Sequence, residues 1–508
     1  MELRSLARLW ALVFLGPLVG VALEIPALSD LRMWQYLGTI ATLIYLLKGA
    51  ITGPPILKSI DLRTSQSVLW ASLILFIINI TLRYFAVSIN GVDFSIFDWM
   101  LVNTLRDRFM YSPIYDVNHF GVHPSWIMLV LVPLKQMISH PLALLIVGVL
   151  TLWAAVLPLW ALCRAKETPG FVTLMLLVGY LSCSVVGTLA NTGFRTESLI
   201  PLALFYLFWA WDQRRWGHIV AATLLGLSIK EDMALYLGAW FLFYALRPNP
   251  QRRLAWTLAT VSILFLGIHV GWIQPYFLGA SRRTPEYLRF WQHYGGDFPA
   301  ILQSMIHQPV QVVQDIAKSG WWKLYGPMLL LPLFSARVVV ASLPGIFILG
   351  TAASYPAMHQ YGHYYPLPLL CFAILGLLDF MRRWGTKHWA SSVLAGALIL
   401  FPLFHSGSVQ VPRPDPEVYA GAMKVREHLE VNHANATLCV QPALFPYLGY
   451  HLNLIPYFDS RCRQQGVIYV LVEGRKPYPW TAEQWEQFIA DHQGSALRLA
   501  PGFLIIKG

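Results

Sequence analysis

The chain has 508 residues, 56% of them hydrophobic and only 12% charged, with a net charge of +11. Soluble domains carry about 25% charged residues, so half that content over this length excludes an ordinary soluble enzyme and points to a bilayer as solvent. The basic excess falls in short groups between apolar runs, which argues against a nucleic-acid partner and reads as membrane topology.

The opening segment, "MELRSLARLWALVFLGPLVG", has the basic start and apolar middle of a signal peptide. A dozen further apolar runs follow it, so it reads as a retained first helix. A bilayer is crossed by about 20 apolar residues. The candidate spans are 8–24, 34–53, 66–88, 142–163, 170–188, 198–212, 217–230, 233–247, 254–274, 325–336, 338–353, 364–381 and 388–405. Every second connection is basic: Arg4 and Arg8; Lys58 and Arg63; Arg164 and Lys166; Arg214 and Arg215; Arg247, Arg252 and Arg253; Arg337; Arg382, Arg383 and Lys387. By the positive-inside rule these face the cytoplasm, which puts the other connections outside.

The outer connections include two long ones, 89–141 and 275–324, and shorter ones carrying "NTGFRTES", "IKED" and "YPAMHQYGHYY". Within the first, "HPSWIMLVLVPLKQMISHP" is apolar but short. Counting it as a span would reverse the basic rule after it, so an in-plane or re-entrant helix is expected. Beyond Pro412 the pattern changes. "EVYAGAMKVREHLE" has helical periodicity, while "ATLCVQ", "GVIYVLVE" and "GFLIIKG" read as strands. "TAEQWEQFIADHQG" reads as a helix capped by Thr481 with Gln484 at the third position. The expected organisation is therefore two leading spans (1–65), a transmembrane module (66–411) and an outer α/β domain (412–508). Cys439 and Cys462 could pair if that domain faces an oxidising compartment; no CxxC pair is present.

Ionisable groups at a membrane edge are functional candidates by default. Asp93 and Asp98, five residues apart, would lie about 140° apart around a helix, so they serve different ends. Asp93, first after a span, is the stronger candidate, while Asp98 also reads as a solvated loop acid. In "YDVNHFGVHPSW", Asp116, His119 and His123 could hold a metal, touch a polar substrate or only bond the loop. Gly121 and the proline after His123 disfavour a helical ligand pair. Arg195 and Glu197 either contact phosphate or snorkel to the interface. Lys230, Glu231 and Asp232 either line a cavity or neutralise one another. Arg282 and Arg283 could meet an anionic headgroup. His363 and Tyr364 either contact a headgroup or belong to an aromatic belt.

Several stretches together carry a resemblance: "VDFSIFDWML", "NHFGVHPSWIMLVLVPL", "FRTESLIPLALFYL", "LLGLSIKEDMAL", "HYYPLPLLCFAILG" and the tail "ATLCVQPALFPYLGYHLNLIPYF…GVIYVLVE". Over about residues 66–508 the chain resembles the GT-C superfamily of polytopic glycosyltransferases, and more closely a prokaryotic branch of predicted membrane proteins. The resemblance implies an all-α polytopic membrane fold of about thirteen spans. It implies an inverting transfer of a sugar from a polyprenyl-phosphate-linked donor to a glycan, lipid or protein acceptor outside the cytoplasm. Asp93 then stands where the family's base does, with Asp98 second. Arg195, Lys230, Arg282 and Arg283 are the cations available to the departing phosphate, and a divalent metal is possible. The rival expectation is a transporter or flippase for a lipid-linked or anionic substrate, which midplane polar residues and related halves would favour. A third is a non-catalytic scaffold, in which Asp93 would open into no cavity.

Overall fold

The computed structural model describes residues 3–52, 62–89, 91–279, 286–359, 364–385, 387–404, 409–448, 450, 453–456, 462, 466–472, 482–491, 496–500 and 502–507. Thr481 lies outside them, as does the side chain of Gln484, so the expected helix cap does too.

Long apolar runs give helices almost throughout, since in lipid each backbone group must be satisfied within its own segment. Four helical stretches are long and apolar enough to cross a bilayer: Arg4–Ala22, Gln66–Phe85, Pro141–Ala165 and Arg252–Leu278. Shorter apolar helices pack among them, including Gly170–Ser182, Trp216–Ile229, Met233–Ala245, Ala336–Thr351 and Ala390–Phe404. The exterior is lipid-like. On the Arg252–Ile268 helix and its continuation, Ile263, Leu264, Trp272 and Tyr276 are all exposed, which water would penalise and hydrocarbon would not.

Several expected spans are interrupted. The run 325–336 is not a helix: after Trp322–Tyr325 come two short 3₁₀ turns, with Leu329 and Leu330 in the left-handed region at φ 53° and 55°. Pro327 and Pro332 explain it, because each removes a backbone donor and clashes with the preceding turn. The run 170–188 breaks at Cys183, which is extended (ψ 153°) between Gly170–Ser182 and Ser184–Thr192. The first long connection is largely ordered. It opens with the helix Gly91–Thr104, continues in a two-stranded hairpin, β1 (Tyr111–Ser112) and β2 (Val117–Asn118), and ends in the helix Met128–Met137.

The C-terminal domain pairs β3 (Leu438–Val440), β4 (Leu454–Pro456), β5 (Ile468–Val472), β6 (Ala496–Ala500) and β7 (Phe503–Lys507) in the order β4-β3-β5-β7-β6. β3 runs parallel to β4 and β5, while β7 is antiparallel to β5 and β6. The three expected strands are β3, β5 and β7; the two edge strands, β4 and β6, were not expected. Cys439 and Cys462 form a disulfide with their Cα atoms 5.7 Å apart.

The domain is anchored to the helices rather than tethered. Tyr447 donates to the carbonyl of Tyr84 (2.5 Å), and Tyr450 donates to that of Ser139 (2.6 Å). Trp99 packs edge-on against Phe445 and Tyr450. It therefore caps the end of the bundle where the Gly91–Thr104 helix begins.

Candidate functional site

Asp93 lies in the first turn of the Gly91–Thr104 helix, where unpaired backbone N–H groups favour a carboxylate. Its Oδ2 is 2.5 Å from Nη1 of Arg195. Arg195 arrives there because the Ser184–Thr192 helix ends at Gly193, whose φ of 93° turns the chain sharply. Phe194 then seats against Gly148, where an added Cβ would stand 2.8 Å from the Phe194 Cα. The guanidinium is buried. Its Nε lies 3.5 Å from Glu197, and its Cζ sits 3.5 Å above the Tyr364 ring, a cation–π contact.

Glu197 carries the network on to Lys230 (3.5 Å), and Lys230 to Asp232 (3.8 Å). Lys230, extended at φ −163°, ends the Trp216–Ile229 helix, and Met233–Ala245 starts just after Asp232. The two helices form a hairpin with these residues at its turn. Glu231 turns to the other side and meets Nδ1 of His123 at 2.7 Å. The segment holding His123 is fixed at three points: Ile127 donates to the carbonyl of Ser228 (2.9 Å), Trp126 Nε1 to His269 Nε2 (2.6 Å), and Gln274 to the carbonyl of Val122 (3.1 Å). Gly121 permits this approach, since a Cβ there would stand 2.8 Å from the Leu278 amide nitrogen.

His119 lies 6.1 Å from His123 between ring centroids, packed between Phe97 and Tyr115. It is 2% exposed, and neither ring nitrogen has a hydrogen-bond partner among the described residues. Burial, reinforced by His123, pushes it down to about 3 and keeps it neutral. Burial alone would raise Glu197, but Arg195 and Lys230 overcome that and hold its carboxyl at about 2. Glu197 therefore stays charged across any physiological pH. Four carboxyl groups (Asp93, Glu197, Glu231, Asp232) thus gather around Arg195, Lys230 and the His123 imidazole.

Asp93, His119, His123, Arg195, Glu197, Lys230, Glu231, Asp232 and Tyr364 thus come together. Asp98 and Asp116 do not. Asp98, 1% exposed, binds Nζ of Lys135 at 2.7 Å, whereas Asp93 keeps 34% of its side chain open. Asp116 is exposed on the β1–β2 hairpin and accepts a bond from the Tyr111 hydroxyl at 2.6 Å. Arg282, Arg283 and His363 lie outside the described residues. Sequence reasoning missed Lys135, His269 and Gln274. Lys135 left a signal, since a lone cation in an apolar stretch demands a buried acid; His269 and Gln274, within a long apolar helix, left none. No three His, Cys, Asp or Glu side chains among the described residues stand where they could hold one metal ion.

A second network closes the opposite end of the bundle. Arg337 Nε binds Asp379 at 2.7 Å, and its Nη1 binds Asp212 (3.2 Å) and the Tyr244 hydroxyl (2.8 Å). Lys166 completes it, 2.5 Å from Asp212 and 3.6 Å from Asp379. The helices Ile200–Asp212, Met233–Ala245 and Leu367–Trp384 run from the first network to the second.

Apolar helices long enough to cross a bilayer, a lipid-like exterior and charge gathered at the helix ends define a helical membrane protein. Residues 83–468 match the predicted membrane protein family DUF2079, and the chain belongs to that family. No curated protein matches it.

Proposed function

We propose that the protein is a membrane glycosyltransferase of GT-C type that takes sugar from a polyprenyl-phosphate-linked donor at its Asp93 end. The observation that carries this reading is the buried run Asp93–Arg195–Glu197–Lys230, a half-open carboxylate beside two cations of fixed charge. Glycosyl transfer passes through a transition state of oxocarbenium character. The acceptor oxygen bonds to the anomeric carbon as the carbon–oxygen bond to phosphate breaks, and its electron pair leaves with the phosphate. The oxygen of Asp93 not held by Arg195 takes the acceptor's proton. Arg195 and Lys230 balance the charge growing on the phosphate, and Glu197 fixes both cations in place. A lipid-linked donor also accounts for embedding such a site at a bilayer edge.

In this reading the N-terminus is cytoplasmic, and the Asp93 end and the C-terminal domain lie outside the cytoplasm. Two observations support that sidedness. The connections carrying Lys166, Arg214, Arg215 and Arg337 share one end of the bundle, and the opposite end bears the domain with the Cys439–Cys462 disulfide, which oxidising compartments preserve.

The test is transfer by the purified protein in proteoliposomes supplied with radiolabelled polyprenyl-phosphate hexoses and water-soluble or lipid acceptors. Product formed by the native protein and lost in a folded Asp93→Asn variant is expected. Movement of the intact donor between leaflets without product would replace this reading with a flippase.

A further inference from the structure

A second candidate site lies on the lipid-facing flank, away from the Asp93 cluster. An open apolar groove of about 420 Å³ runs between three helices. Leu157 and Ala161 line it from Val156–Ala165, Leu202, Tyr206 and Trp209 from Ile200–Asp212, and Leu225 from Trp216–Ile229. The first two helices run toward the Arg337 end, and the third starts from it. The groove therefore has a direction, and its head is the connection between residues 212 and 216.

That head is basic and aromatic. Arg164 follows Leu157 and Ala161 by seven and three residues, which puts it on the same helix face, and its Cζ stands 5.7 Å from the Trp160 ring. Arg215 Cζ lies 5.0 Å over the Trp209 ring. His218 Nδ1 meets the Tyr206 hydroxyl at 2.5 Å and packs edge-on against Trp209. Arg164, Arg214, Arg215 and His218 are exposed. The nearby acid Asp212 is turned inward onto Lys166 and Arg337, so Glu167 is the one exposed carboxylate in these two connections.

We propose that this groove is a binding site for an anionic phospholipid, with an acyl chain along Leu157, Ala161, Leu202 and Leu225 and the phosphate between Arg164 and Arg215. Three features argue for this occupant. The walls offer a chain no polar partner, so only hydrocarbon fills them without loss. The guanidinium fork matches phosphate oxygens in pairs, and basic pockets between membrane helices select acidic head groups. The two rings at the mouth, Tyr206 and Trp209, stack 5.9 Å apart between centroids, the amphipathic pairing that the lipid–water boundary favours. The inference is independent of the glycosyl-transfer reading.

Native mass spectrometry of the full-length protein in detergent, titrated with phosphatidylglycerol or phosphatidylcholine of matched chains, tests it. The native protein should bind phosphatidylglycerol about tenfold more tightly. In the double variant Arg164→Gln, Arg215→Gln the preference should fall to within about twofold, with phosphatidylcholine binding unchanged. Both arginines are exposed, so the variant keeps its fold. Ala161→Trp, which fills the groove, should weaken both lipids, and if it does not fold the arginine pair decides alone. Equal affinity for the two lipids in the native protein, or a preference that survives loss of both arginines, overturns the proposal.

Discussion

The two charged networks are joined by the same three helices and obey opposite rules. At the Arg337 end, two carboxylates meet two cations, Asp379 accepts from both Arg337 and Ser335, and the charges cancel. At the Asp93 end, four carboxyl groups outnumber two cations and the His123 imidazole, Asp93 keeps 34% of its side chain open, and His119 is buried with neither ring nitrogen hydrogen-bonded among the described residues. Buried charge is costly unless matched. A matched network reads as a clasp, and an unmatched one holds its charge ready for something else. The contrast separates stability from chemistry within one molecule.

Asp93→Asn is the largest expected effect. Removing a general base lowers rate by roughly 10³-fold, while circular dichroism and detergent melting should stay near native, because Arg195 keeps its contacts with Glu197 and the Tyr364 ring. If instead the variant melts early and the surviving molecules transfer sugar normally, the Asp93 network is a second clasp and the contrast fails.

Arg337→Ala should do the reverse. It leaves Asp379 and Asp212 to share Lys166 alone, and the uncompensated charge costs about 3 kcal/mol of stability; activity per folded molecule should hold. A normal melting temperature would show that the clasp contributes little.

A smaller effect is readable from pH. His119 has a folded pKa of about 3, below the roughly 6.5 of an unfolded chain. As pH falls through 6.5 the unfolded state takes up the proton first, so stability is complete above that pH and drains away toward 3. Between pH 6.5 and 5 this group alone should remove about 2 kcal/mol. His119→Phe should flatten that slope in melting curves, and an unchanged slope would place the acid sensitivity elsewhere.

The smallest expected effect concerns the domain contact. Tyr450→Phe deletes the hydroxyl bond to the Ser139 carbonyl and should cost about 1 kcal/mol. The readout is proteolysis of the C-terminal domain, which should quicken without loss of the helical core.

The membrane class was legible in the first reading, since apolar length and the low share of charge are properties of the chain alone. So was most of the candidate site. Asp93, Arg195, Glu197, Lys230 and Glu231 stood out because each is a charge where charge is expensive, and such positions need partners whatever the fold. The strands β3, β5 and β7 were legible because apolar and β-branched residues run together in them, whereas β4 ends on Pro456, a residue that argues against a strand.

Only the tertiary structure decided who those partners are. Asp93 and Arg195 are a hundred residues apart, as are His123 and Glu231, and nothing local says which acid a given cation will meet. Asp98 illustrates it: five residues from Asp93 on the same helix, it turns to Lys135 instead, because the helix carries the two acids to different sides. The broken run 325–336 makes the same point in the backbone, where hydropathy promised a span and two prolines, with neighbouring turns packed around them, made none. Sequence fixes what must be buried or paired, because those costs belong to the residue. The three-dimensional fold fixes the pairing, because distance belongs to the packing.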